Sequence, residues 1–170
     1  DAAKDFIAMM KIKFQGRNLD DVTNMGQMPI PYLYHASKTL NPKGAKTVQG
    51  WSSTSETKRV TVAVTVTASG KLLTPFLIFK GQRNGRIVQR EFMTYPAAGK
   101  YACQPKAWMD KGLMNLWIDI VLTLWKADRD ANNPSLEPPI LVLDAYRVHQ
   151  MGSVVNRLQA MGIEVIHIPA

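Results

Sequence analysis

The 170-residue chain is 46% hydrophobic and 20% charged, a composition that suits one globular domain with its own core and excludes disordered, collagenous and coiled-coil classes. Its single cysteine, Cys103, excludes an internal disulfide framework, no Cys/His pattern with zinc spacing is present, and an intracellular setting is the simpler expectation. Twenty-one Lys and Arg against thirteen Asp and Glu leave a net charge of +8, which favours polyanionic partners such as nucleic acid.

Taken in chain order, the opening Asp1-Ala2-Ala3-Lys4 lacks an initiator Met and any basic-then-apolar signal pattern, and reads as the start of a piece cut from a longer protein. Ala2, Ala3, Phe6, Ile7 and Met10 recur at helical spacing, which predicts an amphipathic helix closed by a turn at Gln15 to Asn18. An extended run from Leu19 to Met25 leads into Pro29 and Pro31, whose missing N–H groups are expected to terminate a central strand. A further extended stretch is expected around Ala45 to Trp51. From Lys58 to Ala68 Val60, Val62, Val64 and Val66 alternate with Thr61, Ala63, Thr65 and Thr67, which predicts a strand with one apolar face. Ser69-Gly70 then predicts a hairpin turn into an antiparallel partner over Leu72 to Phe79.

Lys80 to Tyr101 reads as a polar loop, too long for a plain connection and so a candidate for function. Asp110 is placed to cap a helix whose Leu113, Leu116, Trp117, Ile120, Val121 and Leu124 share one face and whose end is expected near Ala127. That stretch contains Asp119 and falls short of the roughly 20 apolar residues of a bilayer span, so no membrane segment is expected. After a loop around Asn132 to Pro139, Ile140 to Leu143 reads as a buried strand ending at Asp144. Met151, Val154, Val155, Leu158 and Met161 predict a second helix stopped by Gly162, and Glu164 to Ile168 closes as a strand. Trp108, Trp117, Trp125, Met9, Met10, Met151 and Met161 are assigned to the core, with base stacking as the alternative for the tryptophans. Three antiparallel strands followed by alternating helix and strand give a mixed α/β sheet with flanking helices. A ribonuclease H-like domain has this order.

Five segments carry a resemblance to a known family. They are Asn24-Met25-Gly26-Gln27-Met28-Pro29, Thr57-Lys58-Arg59, the run Thr67 to Pro75 (TASGKLLTP), Ala107-Trp108-Met109, and Leu143-Asp144-Ala145-Tyr146-Arg147-Val148-His149. In order and spacing they resemble transposases of pogo and Tigger type, whose DDE endonuclease domain has the ribonuclease H-like fold. The match covers nearly the whole chain.

The resemblance implies Mg²⁺-dependent (or Mn²⁺-dependent) cleavage and transfer of DNA strands. That chemistry uses two divalent cations roughly 4 Å apart, held by converging carboxylates. The family's first Asp falls on Gly26, which offers no ligand, and Met28 replaces the usual Thr. The second Asp matches Asp144, the expected catalytic and metal residue, and a family histidine matches His149. Two plainer readings compete, in which Asp144 caps the following turn and His149 is a surface residue starting a helix. The third carboxylate is expected beyond the last strand, after a Gln-Pro pair, and so past Pro169-Ala170. Asp20 shares strand parity with residue 26 but lies six residues, roughly 20 Å, away. Asp21 points to the other face, while Glu56 and Asp110 fall in turns or caps.

Lys58, Arg59, Lys80, Arg83, Arg86 and Arg90 are candidates for DNA backbone contacts, with solvated loop charge and edge-strand protection as alternatives. His35, His149 and His167 lack mutual metal spacing, and Gly44-Ala45-Lys46-Thr47 lacks the earlier glycine of a phosphate loop. The sequence therefore reads as one endonuclease-like domain over residues 1–170, truncated at both ends, with DNA as partner and no cleavage activity. The resemblance implies a nuclear location. The alternatives are a domesticated module that binds DNA or protein without chemistry, and a decaying transposon remnant.

Overall fold

The computed structural model describes residues 1–32, 43–44, 59–132 and 137–169. Helix α1 (Ala2–Phe14) starts at Asp1, whose carboxylate accepts from the Ala3 N–H. Strands β1 (Val22–Pro31), β2 (Arg59–Thr67), β3 (Phe76–Lys80) and β4 (Lys100–Gln104) precede helix α2 (Lys111–Trp117) and helix α3 (Thr123–Asn132). Strand β5 (Ile140–Leu143), helix α4 (Gly152–Ala160) and strand β6 (Glu164–His167) complete the described chain. The six strands form one sheet in the order β4-β3-β2-β1-β5-β6. Strand β2 runs antiparallel to β1 and β3, while β3–β4, β1–β5 and β5–β6 are parallel. The carboxyl ends of all strands except β2 therefore share one end of the sheet, where β2 begins.

Two sequence expectations change here. Pro29 and Pro31 do not end β1, which runs through both of them. Strand β5 pairs only with Val22 to Met25, so beyond Met25 strand β1 has β2 alone beside it, and a missing N–H on the open side breaks no ladder. The second change concerns residues 80–101. They hold a π-helical turn at Ile87–Glu91, a 3₁₀ turn at Phe92–Thr94 and the start of the parallel edge strand β4. Phe92 and Tyr95 anchor this connection by packing on Phe79 and Tyr101, with ring centroids 5.2–5.9 Å apart for Phe79–Phe92, Phe79–Tyr95, Phe92–Tyr101 and Tyr95–Tyr101. The stretch expected at 45–51 lies outside the described residues.

Strand parity sorts the side chains onto two faces. The valines of β2 share a face with Val22, Ile140, Val142 and Ile166, which Phe6, Met10 and Phe14 of α1 cover. On this face Val64 and Val66 are only half-buried. The opposite face, with Thr61, Ala63, Thr65 and Thr67, is the one beneath the main core, so the strand has two covered faces rather than one. The hydroxyls at its centre are satisfied: Thr61 Oγ1 donates to the Ala107 carbonyl at 2.6 Å, and Trp117 Nε1 donates to Thr65 Oγ1 at 3.3 Å.

Asp110 caps α2 as expected, accepting from the Leu113 N–H at 2.9 Å. Its helix then passes through a π-turn at Ile118–Leu122 and continues to Asn132, past the expected end at Ala127. The extra residue in that turn rotates the helix beyond it, so Leu113, Met114, Trp117, Ile118, Val121 and Leu122 are buried while Leu124 is exposed. Trp117 is fully buried, but Met9 and Trp108 are exposed, contrary to their assignment to the core. Strand β5 is buried and central, and Gly162 closes α4 at a φ of 73°. Among the described residues no helix is long and apolar enough to cross a membrane.

Candidate functional site

Parallel pairing of β1 and β5 aligns Met25 with Leu143, and continuing that register by one residue sets the backbone of Gly26 beside Asp144. A Cβ built on Gly26 meets nothing within 4 Å, and its φ lies outside the left-handed region. The backbone and the space would therefore admit a side chain at 26, and its glycine is not required by the fold.

Asp144 ends the buried strand with its side chain 57% exposed. Its Oδ1 accepts from the Tyr146 N–H at 3.0 Å, which is the turn-capping role, and from His149 Nδ1 at 2.6 Å. Both bonds fall on Oδ1, so Oδ2 has no partner among the described residues. His149 is 0% exposed, which overturns its reading as a surface residue. Its Nε2 lies 3.0 Å from Gln27 Nε2. A carboxylate only accepts, so His149 Nδ1 carries a proton and donates it to Asp144 Oδ1. His167 Nε2 donates to the His149 carbonyl at 3.1 Å, and Tyr146 packs edge-on against the imidazole at 5.4 Å. A buried ring gripped from three sides fixes one carboxylate oxygen and leaves the other outward.

Strands β1 and β2 project five residues beyond the level of Gly26 and Asp144, because Pro31 pairs with Arg59. They wall a cleft of about 270 Å³ whose lining includes Gln27, Arg59, Trp108, Asp144 and Tyr146. The Arg59 guanidinium lies over the Trp108 ring, 5.1 Å from its centroid. The structure thus joins Asp144, His149 and Arg59 with Gly26 alongside. Lys80 ends β3 at the same end of the sheet, paired with Gln104. Arg83, Arg86 and Arg90 are exposed on the connection between β3 and β4, Arg83 at 3.4 Å from the Asp110 carboxylate. Lys58 and Glu56 lie outside the described residues.

The remaining acids are engaged elsewhere. Asp20 sits in the 3₁₀ turn before β1 and is bound by the Ser69 hydroxyl and by Lys71 at 3.0 Å, which together hold its carboxyl below the ordinary range. Asp21 is buried against Arg129. Among the described residues no group of three His, Cys, Asp or Glu side chains is placed to hold a metal ion. Sequence reasoning gave Gln27 no role of its own and assigned Trp108 to the core, with base stacking as the alternative. Gln27 adjoins Gly26 and its opposite strand parity was the available signal; the exposure of Trp108 had none, because it depends on the backbone turn at Ala107.

Residues 57–170 match the family model described as DDE superfamily endonuclease. Over 152 residues, 86% of this chain, the sequence is 26% identical to the pogo transposable element with KRAB domain of Homo sapiens. It is 25% identical to the protein of that name from Mus musculus. The chain spans 22% of the length of these curated relatives. In fold it is similar to the Mos1 mariner transposase in a paired-end complex with Mn, with a TM-score of 0.61 at 12% identity over 99% of this chain and 42% of that one. A pre-cleavage Mos1 transpososome gives 0.59 at 11% identity, covering 99% and 41%. The likeness is to a ribonuclease H-like mixed sheet with flanking helices.

Proposed function

The chain belongs to the DDE superfamily endonuclease family, and from that premise we propose that residues 1–170 are the sheet-bearing part of a DNA strand-cleaving domain whose metal site is disabled. DNA is the partner in this reading, in line with the Mos1 transposase solved in a paired-end complex with the left transposon end, and the nucleus is the place of work. Asp144 stands where the family's second carboxylate stands, and Gly26 where the first does. The observation that carries this reading is the β1–β5 register, which sets residue 26 beside Asp144.

Two-cation chemistry requires hard oxygen ligands from more than one element. The donors present do not fit it. Asp144 Oδ2 is one ligand atom, Gly26 supplies none, and among the described residues no acidic cluster compensates. What the chain's own residues do is hold: His149 and Gln27 orient Asp144, and Arg59 and Lys80 offer positive charge at the same end of the sheet to a phosphate backbone.

The test is nicking of supercoiled and linear duplex DNA with Mg²⁺ and with Mn²⁺. No nicking by the purified chain is expected, and metal-dependent nicking would overturn the proposal. Gly26→Asp is expected to fold normally, because a Cβ at this position meets nothing within 4 Å. A module that binds DNA without cutting it is the second reading, favoured by the exposed Arg86 and Arg90 on the connection between β3 and β4.

A further inference from the structure

Three backbone and side-chain devices converge on Trp108. Ala107 adopts a φ of 55°, a left-handed conformation that residues with a Cβ rarely take. It is the one such non-glycine among the described residues. Its carbonyl accepts from the buried Thr61 hydroxyl at 2.6 Å and its N–H donates to the Gln104 carbonyl at 2.9 Å. The Gln104 side chain accepts from both neighbours, the Lys106 N–H at 2.6 Å and the Trp108 N–H at 3.2 Å. This turn therefore holds an unfavourable conformation with four hydrogen bonds. Its effect is to leave Trp108 48% exposed on a rigid support, while Ala107 and Met109 on either side are buried. An indole displayed in this way gains nothing for the core.

Arg59 lies over one face of the ring, so the pair puts a flat indole and a positive charge in one place, and a base would stack on the face that Arg59 does not cover. The pair lines the same cleft as Asp144. A flat π surface with a cation beside it matches a nucleobase and its phosphate, and the match requires an unpaired base, because a paired base hides its faces inside the duplex. We infer that Trp108 and Arg59 form a stacking platform for an unpaired nucleobase of a DNA strand lying in the Asp144 cleft. Since every base has a π-face, the platform reads strand state rather than sequence. The inference rests on the reading of this cleft as a DNA site.

Single-stranded and duplex oligonucleotides, the former carrying 2-aminopurine, whose fluorescence falls on stacking, test it with the 170-residue chain, Trp108→Ala, Trp108→Phe and Arg59→Ala. The chain is expected to bind single strands and quench the probe. Trp108→Ala should weaken single-strand binding by roughly tenfold and abolish quenching, with duplex binding unchanged because phosphate contacts carry it. Trp108→Phe should restore part of both, and Arg59→Ala should weaken single-strand binding with quenching reduced. Trp108 is half-exposed, so unchanged circular dichroism is expected for its variants. Unchanged quenching and affinity in Trp108→Ala, with duplex binding intact, would overturn the platform and leave the DNA-site reading standing. Failure of the chain to bind either DNA at low salt would overturn both.

Discussion

Arg129 and Asp21 are buried as a bidentate pair, Nε to Oδ1 at 2.9 Å and Nη2 to Oδ2 at 3.1 Å, with Nη2 also donating to the Glu137 carbonyl. The bonds to Asp21, offset in part by burial, push the guanidinium further into its charged form. Removing Arg129 strands the buried Asp21 charge away from water, so Arg129→Met should cost about 3–5 kcal/mol in urea unfolding, and Asp21→Asn should cost less, because Asp130 still pairs with Arg129 Nη1 at 2.9 Å. The double variant should cost less than the sum, and additive losses would show the pair to be uncoupled. At Asp20 the carboxyl is depressed first by the Ser69 hydroxyl and then by Lys71. A depressed carboxyl stabilises the fold above its unfolded pKa and loses that contribution as pH falls through the folded one. The stability gap between the chain and Asp20→Asn should therefore be present at pH 7 and shrink on acidification below the ordinary carboxylate range. The motif singled out Gly26 and Asp144 as candidates, and the β1–β5 register sets them side by side, whereas the His149 grip could not be read from sequence, because Gln27 and His149 lie 122 positions apart and meet only through the sheet.

At the scale of elements, the alternation over 59–67 identified β2 correctly but not which side was buried. Threonine is polar in composition yet here its hydroxyls are spent on Ala107 and Trp117, and the small Ala63 lets the helices approach. Ala63 is 0% exposed, so Ala63→Val forces extra volume into a closed layer and should destabilise by about 1–3 kcal/mol. Val64→Thr, on the half-covered face beside the open space at Gly26, should cost less than about 1 kcal/mol. Equal losses by denaturant unfolding would contradict this assignment of the faces. Strand β4 escaped prediction because five residues at a sheet edge, KYACQ, show no periodicity and pair with residues more than twenty positions earlier. The helix end escaped it because a π-turn changes phase without any residue type that marks it.

Across the whole molecule, the net charge of +8 acquires a direction from the fold. Arg59 and Lys80 sit at the end of the sheet that carries Asp144, and Arg86 and Arg90 extend from it on a connection pinned by the aromatic cluster. Lys80 is separated from β5 by the widths of β1 and β2, on the order of 15 Å. Phosphates recur about every 3.4 Å of rise along one strand, so a duplex lying across this end would span both regions. Each Lys or Arg that neutralises a phosphate releases a counterion and adds roughly 0.9 to the slope of log affinity against log salt. Arg86→Ala and Arg90→Ala should each lower that slope by about 0.9 and weaken binding alike for all duplex sequences. Arg83→Ala should change it less, because Asp110 already lies 3.4 Å from its guanidinium. Fluorescence anisotropy from low to moderate salt reads the slopes directly. A slope unmoved by either Arg86 or Arg90 would place the DNA on another surface, since charge that contacts no phosphate releases no counterion.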